Sequence, residues 1–262
     1  MNEQILNEIT NQDYDRIQND IESFLRESLA STGASGLVFG LSGGIDSAVI
    51  AHICAKSFKD RSLALLMPDS RISPKEETED ALHIVDKLGL DYKLIDISQI
   101  HLQFASVLEP EEKALGNLRA RIRSTLLYYH ANSKNYLVIG SSDKSEQLIG
   151  YFTKFGDGSA DVLPIVSLYK TQIRLLARSL GVKESIIEKK SSPHLWKGHI
   201  AEEEIGASYE EIDSILYCMS DRHMSLDDTQ NATQISKDKI EKIHQLYKKS
   251  EHKRIMPSRL PE

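Results

Sequence analysis

The chain has 262 residues, enough for one large domain or two small ones and for a core that removes most of the unfolded surface from water. Hydrophobic residues make up 40% and charged residues 27%, which excludes disordered, collagen-like and coiled-coil classes. Lys+Arg 32 against Asp+Glu 39 gives a net charge of −7, which argues against non-specific binding to nucleic acid or anionic membrane but leaves room for a local basic pocket.

The N-terminus, MNEQILNEITNQDYDRIQ, lacks the apolar run of a signal peptide, and no segment approaches about 20 consecutive apolar residues, so a cytoplasmic protein with no membrane span is expected. Ile17, Ile21, Phe24, Leu25 and Leu29 recur at helical spacing and predict an amphipathic helix over 13–31. A short apolar strand, 37–41, then runs into glycines, followed by a mostly buried helix over 46–58. This helix carries Cys54, read as a core thiol; it and Cys218 match no metal or CxxC spacing. A second strand, 63–67, stops at Pro68. Ser73-Pro74-Lys75-Glu76 starts a helix that Gly89 ends. A third strand spans 92–97, a polar helical stretch 99–132, and a fourth strand 136–140. A short helix over 142–148 follows, Pro164-Ile165 begins a fifth short strand, and helices cover 171–180, 184–188, 209–219 and 233–250. Strands alternating with helices predict an α/β fold. Its parallel five-stranded sheet is doubly wound, flanked by helices, and followed by a helical C-terminal extension. Such sheets bind ligands beyond the carboxyl ends of their strands, so the turns after Leu41, Met67 and Gly140 carry the information.

The first turn, Leu41-Ser42-Gly43-Gly44-Ile45-Asp46-Ser47, leaves a strand and opens a helix. Its glycines let backbone N–H groups approach an anion, and the helix end adds positive potential and unpaired donors. The turn therefore suits phosphate oxygens. It is neither a Walker A loop, which needs GxxxxG-Lys-Ser/Thr, nor GxGxxG. Asp46 beside phosphates is repulsive unless a cation lies between them, which points to Mg²⁺.

The string SGGIDS resembles the SGGxDS loop of the N-type ATP pyrophosphatases, which cleave ATP between its α- and β-phosphates. Residues 140–170, GSSDKSEQLIGYFTKFGDGSADVLPIVSLYK, closely resemble one branch of that superfamily, the ammonia-dependent NAD synthetases. Further matches are Ala120-Arg121-Ile122-Arg123, Leu195-Trp196-x-Gly198, Ile205-Gly206-x-Ser208-Tyr209-x-x-Ile212-Asp213 and His252-Lys253-Arg254, so the likeness runs from about residue 15 to 257.

This resemblance implies one NAD synthetase domain over 1–262, with an adenine-nucleotide α-hydrolase-like sheet ordered 3-2-1-4-5. It implies ATP as co-substrate, with the carboxylate of deamido-NAD⁺ adenylated and ammonia then displacing AMP. The run Gly40, Leu41, Ser42, Gly43, Gly44, Ile45, Asp46, Ser47 would contact ATP, with Ser141, Lys170 and Ser192. Asp46 and Glu146 match the Mg²⁺ carboxylates; Arg121, Lys154, Asp161, His252 and Lys253 match residues that hold deamido-NAD⁺. Asp46, Glu146, Lys170 and Asp161 are the catalytic candidates, Asp161 as acceptor of ammonia's proton. Met67 and Arg71 are placed beside adenine and ribose, and a lid over about 188–208 is expected to order on ATP binding.

Two departures stand out. Ser159 replaces a glycine and would be strained at positive φ, and Ala201 replaces an acid. Only about 12 residues precede the first predicted helix, with no amidotransferase context, so free ammonia is the expected nitrogen donor. The family forms homodimers, and Leu118, Ile122, Leu126 and Tyr129 mark a candidate interface stripe. A tRNA-modifying relative would favour a basic patch and extra cysteines, and an inactive nucleotide-binding module would be expected to lose Asp46, Glu146 or Lys170.

Overall fold

A computed structural model describes residues 2–255 except Lys197, together with Pro257 and Leu260. Strands β1 (Gly36–Gly40), β2 (Ser62–Leu66), β3 (Asp91–Leu94) and β4 (Tyr136–Ile139) form one parallel sheet in the order β3-β2-β1-β4. Val38 pairs with Leu63 on one side and Val138 on the other. Successive side chains alternate between faces, so the two faces build two cores. Leu37, Phe39, Ala64 and Leu66 pack with α2 (Tyr14–Thr32), α3 (Ile45–Ser57), α4 (Lys75–Leu88) and α8 (Lys170–Ser179). Val38, Leu63, Leu65 and Val138 pack with α6 (Glu112–Lys134). The chain changes face between β3 and β4, which puts the topological switch between β1 and β4.

A third core joins α1 (Glu3–Thr10), through Ile5 and Ile9, to the C-terminal helices α11 (Tyr209–Leu216) and α13 (Lys237–Lys249). Asp13 starts α2 by accepting from the Arg16 N–H at 3.0 Å, and Gly33 ends it in the left-handed conformation. Cys54 is fully buried on α3. Among the described residues, no helix is long and apolar enough to cross a membrane.

The sheet has four strands, not the expected five. The segment at Pro164-Ile165 makes a lone bridge, Ile139 to Val162, with the Gly140 N–H donating to Val162 O at 3.0 Å. Pro164 has no N–H to offer a ladder, and turns closed by Leu163 O and Ile165 O follow at once. Ile165 enters the core as a plug rather than a strand residue. The expected helical stretch over 99–132 splits at Pro110 into α5 (Ser98–Ala105) and α6, whose first N–H groups at Lys113 and Ala114 are capped by the Glu111 carboxylate. The helix predicted over 233–250 is α13, which begins at Lys237 because Gln234 takes the left-handed conformation and ends the preceding helix, α12 (Leu226–Thr233). Helices α1, α10 (Ala201–Ile205), α12 and α14 (Glu251–Arg254) are additional to the sequence reading. The candidate interface stripe divides: Leu118, Ile122 and Leu126 pack on the sheet, whereas Tyr129 is 65% exposed.

Candidate active site

The turn after β1 is built as its sequence implies. Ser42 and Ser47 hydroxyls lie 3.1 Å apart, Ser47 Oγ donates to Gly44 O at 3.0 Å, and Ser42 Oγ accepts from the Gly44 N–H at 3.2 Å. Gly44 caps α3 without a side-chain bond, so the first-turn N–H groups keep free donor capacity. Gly43 has φ +86°, and a Cβ there would sit 2.1 Å from Glu77 O, so only glycine lets the turn pack against α4.

The turn after β4 supplies the opposing charges. Asp143 caps α7 (Lys144–Ile149), its Oδ1 accepting from the Glu146 N–H at 2.8 Å. Lys170, the first residue of α8, points its ammonium at Asp46 Oδ2 (2.7 Å), Asp143 Oδ2 (2.9 Å) and Glu146 Oε1 (3.0 Å). Its side chain is 0% exposed, whereas Asp46 and Glu146 retain 20% and 21% and open to the cavity. Three carboxylates against one ammonium leave a formal excess of two negative charges. Burial pushes Glu146 up to about 8, with Asp143 and Asp46 adding to the rise and Lys170 opposing it. Lys170 is driven well up against its own desolvation because the carboxylates favour its charged form.

Asp213, fully buried on α11, ties the two helix ends together. It accepts from the Ser145 hydroxyl and, at 2.9 Å, from the Thr171 N–H, while Ser145 Oγ accepts from the Lys170 N–H at 2.9 Å. Burial pushes Asp213 up to about 7, against these hydrogen bonds. Glu146 and Lys170 are thus placed by one shared carboxylate. Asp143 and Asp213 are absent from the sequence-predicted site. The DxxE spacing at Asp143 and Glu146 is visible in the sequence, whereas the partnership of Asp213 with Ser145 spans 68 residues and carries no local signal. Lys189 is a further addition: it pairs with Glu77 (3.0 Å) and Asp80 (2.7 Å) and donates to Gly43 O at 3.3 Å, bracing the phosphate turn.

Asp46, Glu146, Glu77 and Lys189 border one cavity of about 920 Å³, while Asp143, Lys170 and Asp213 are buried away from its lining. Gly40, Leu41, Ser42, Gly44, Ile45 and Ser47 line it, as do Ser141 and Ser192. Arg121, Lys154, His252 and Lys253 line another part. There, Lys154 Nζ donates to His252 O at 2.5 Å, and Lys253 Nζ donates to Gly150 O and Phe152 O at 2.6 and 2.8 Å. Gly43, Lys170 and Asp161 are not lining residues. Lys170 lies behind Asp46 and Glu146; Asp161 is exposed, with Oδ2 accepting from the Val138 N–H at 2.8 Å and Oδ1 facing Tyr128 OH at 3.3 Å. Met67 lines the cavity, but Arg71 is turned away, clamped by Asp69 and by His101 Nδ1 at 2.9 Å.

Residues 191–196 and His199 form one wall. Trp196 stacks on His199 at 3.5 Å, and His199 Nε2 meets Glu204 at 2.7 Å and Tyr151 OH at 2.9 Å. The Ser192 hydroxyl donates to His199 O. Ser159 is not among the positive-φ residues, so serine is unstrained there. Ala201 is 1% exposed in the third core, where an acid would need a partner.

An anion cradle at one strand–helix turn, faced by carboxylates and a lysine from the neighbouring strand end, is the arrangement of an α/β enzyme acting on a nucleoside polyphosphate. Comparison with known proteins narrows that class. The NAD synthase family profile matches residues 17–257. An NH(3)-dependent NAD(+) synthetase of Hyperthermus butylicus is 46% identical over 255 residues, 96% of this chain and 92% of its own. Among solved structures, the NH3-dependent NAD synthetase of Campylobacter jejuni is 35% identical with a TM-score of 0.81, over 95% of this chain and 100% of its own. An NMN synthetase from Francisella tularensis is 32% identical with a TM-score of 0.84, over 95% and 99%. The chain belongs to the NAD synthase family.

Proposed function

We infer that the chain catalyses ammonia-dependent NAD⁺ synthesis: ATP activates the nicotinate carboxylate of deamido-NAD⁺, and ammonia converts it to the amide with release of AMP and pyrophosphate. The carrying observation is that the phosphate turn and the Asp46–Asp143–Glu146–Lys170 cluster adjoin through Asp46, which belongs to both, at the wall of one cavity.

The cluster fits Mg²⁺. Its carboxylate oxygens lie within 4.8 Å of one another, Asp46 Oδ1 is buried without a hydrogen-bond partner, and the set is all hard oxygen. Asp46 and Glu146 would hold the ion, which when bound would neutralise phosphate charge and stabilise the departing pyrophosphate. The turn from Gly40 to Ser47 would grip the terminal phosphates through its N–H groups and the Ser42 and Ser47 hydroxyls. Lys170 would share its charge between the carboxylates and the phosphates, with Asp213 fixing its helix end. Ser141 and Ser192 are assigned to ATP, and Arg121, Lys154, His252 and Lys253 to deamido-NAD⁺.

Asp161, exposed outside the cavity lining, is assigned to a dinucleotide that reaches the surface covered by a second protomer. A homodimer is supported by exposed apolar side chains on neighbouring elements, Tyr129 of α6 and Phe104, Val107 and Leu108 at the end of α5. We propose residues 1–262 as one catalytic domain; the family match over 17–257 supports it. A cytoplasmic location goes with ATP and a dinucleotide as substrates.

The test is stoichiometric. Protein incubated with ATP, Mg²⁺, ammonium and deamido-NAD⁺ should form NAD⁺, AMP and pyrophosphate in equal amounts. ADP in place of AMP would refute the reaction. Replacing the dinucleotide by nicotinate mononucleotide addresses the second reading raised by the Francisella neighbour, and faster turnover of the mononucleotide would favour that reading.

A further inference from the structure

Arg71, which follows β2, and Arg119, Arg121 and Arg123 of α6 differ in what they hold, and of these four Arg121 and Arg123 line the cavity. Arg71 and Arg119 share the buried Asp69, at 2.6 and 2.8 Å, and Arg119 also donates to Leu195 O at 3.0 Å. Arg121 is exposed and donates to Lys154 O at 3.3 Å. Arg123 lines the cavity as Arg121 does but is half-buried, and its Nε donates to Met67 O at 2.9 Å. No other hydrogen bond or ion pair fixes its guanidinium among the described residues. Both terminal nitrogens are therefore without a hydrogen-bond partner among the described residues. The surrounding protein lowers its pKa to about 10 by desolvation, with Asp69 and Asp157 opposing the fall only through space.

An unpaired guanidinium in a walled cavity is costly unless an anion joins it, because desolvation disfavours its charge. Its fork of N–H donors matches phosphoryl or carboxylate oxygens, and the bond to Met67 O fixes the direction in which the fork points. Met67 follows β2 and touches the start of the phosphate turn: a Cβ on Gly40 would lie 3.6 Å from Met67 Cε. The guanidinium is thus anchored at Met67, the residue the resemblance puts beside adenine, on the α6 side of the sheet, while the terminal phosphates would be cradled at the start of α3 on the other face. The phosphoryl group between those two ends is the α-phosphoryl.

We propose that Arg123 binds the non-bridging oxygens of the ATP α-phosphoryl group and stabilises the charge that builds there during adenylation. This rests on the synthetase reading above. In that step a carboxylate oxygen forms a bond to the α-phosphorus, and the bond from that phosphorus to the oxygen shared with the β-phosphate breaks. The electron pair leaves with pyrophosphate, and no proton transfer or redox partner is required. Charge grows on the non-bridging oxygens as the fifth ligand enters, so an aimed guanidinium acts more strongly on the transition state than on bound ATP.

Adenylation is read alone by omitting ammonia and following pyrophosphate in a single turnover with ATP, Mg²⁺ and deamido-NAD⁺. Arg123→Gln should slow this release by roughly 100-fold. Its calorimetric affinity for deamido-NAD⁺ should stay within about threefold of native. Arg123→Lys keeps the charge but loses the fork, and should recover part of the rate, remaining on the order of 10-fold slow. Pyrophosphate release by Arg123→Gln at the native rate would overturn the proposal. So would a native rate at saturation combined with weakened deamido-NAD⁺ binding, since the anion would then belong to the dinucleotide. If the glutamine variant does not fold, a native rate for Arg123→Lys overturns the role instead. Failure of the native enzyme to release pyrophosphate with deamido-NAD⁺ present would refute the synthetase reading, and this role with it.

Discussion

Replacing Asp213 by asparagine tests whether one buried carboxylate sets the positions of two catalytic side chains. Asp213 is 0% exposed and accepts from two donors, the Ser145 hydroxyl and the Thr171 N–H. Asparagine keeps the volume but offers one carbonyl oxygen, and its NH₂ must face the second donor. A buried donor left unsatisfied costs about 1–3 kcal/mol, and the start of α8 also loses a favourable negative charge. A loss of about 2 kcal/mol in a chain of this size lowers Tm by roughly 4–8 °C. The functional effect should be separable from the thermal one. Lys170 N–H is bound to Ser145 Oγ and Glu146 is the next residue, so both side chains shift when Ser145 does. We expect kcat to fall by roughly 10-fold or more at a temperature well below either Tm. KM for deamido-NAD⁺ should change little, because Arg121, Lys154 and His252 are held by other contacts. Unfolding followed by circular dichroism and steady-state kinetics at 25 °C would supply both numbers. A variant that melts with the native protein and turns over within about twofold of it would refute the reasoning.

Gly43→Ala places a Cβ 2.1 Å from Glu77 O in a left-handed backbone, so ATP affinity should drop at least about 10-fold in a calorimetric titration; native affinity would show the turn does not grip phosphate. Gly116→Ala should oppose two effects: alanine favours α6 by about 1 kcal/mol, yet its Cβ would meet Leu195 Cβ at 2.9 Å and displace the wall at Leu195 and Trp196. Tm should hold while KM for ATP rises, and an unchanged KM would separate that wall from nucleotide binding. Asp69 gives a pH signature: hydrogen bonds from Arg71 and Arg119 outweigh burial and bring it down to about 2 from an ordinary 3.8. Its folded pKa is depressed, so its contribution, about 2 kcal/mol, is present above pH 3.8 and lost as pH falls toward 2. Urea unfolding should show Asp69→Asn less stable than native at pH 6, with the gap narrowing below pH 4; a constant gap would contradict the assignment.

What the sequence discloses follows from where each signal resides. Strands β1, β2 and β4 are apolar runs closed by Gly or Pro, and they lie within a residue or two of their predicted bounds. Strand β3 ends at Leu94 although the Ile95 and Ile97 N–H groups still donate to Leu66 O and Pro68 O at 2.8 and 2.9 Å; Pro68 has no N–H to return, and the Asp96 carboxylate accepts from the Ser98 N–H at 2.9 Å as α5 begins. Pro164-Ile165 reads as a strand from its apolar character, but the missing proline N–H and the local turns are backbone effects that hydrophobicity does not report. The phosphate turn is legible because its chemistry is local, seven consecutive residues from Leu41 to Ser47. Glu146 and Lys170 are reached by resemblance, and their convergence on Asp46 requires the fold. Asp213 and Arg123 show the limit. One acts through partners 68 and 42 residues away, and the other differs from Arg119 and Arg121 only in which neighbours consume their donors.

The central claim, that the acid carboxylate is activated by transfer to the α-phosphorus in this cavity, is tested most directly with deamido-NAD⁺ carrying ¹⁸O in its nicotinate carboxylate. After turnover with ATP and ammonia, mass spectrometry of the AMP should show one ¹⁸O per molecule, because the C–O bond breaks when nitrogen enters. Unlabelled AMP, with the isotope in pyrophosphate or inorganic phosphate, would contradict the account.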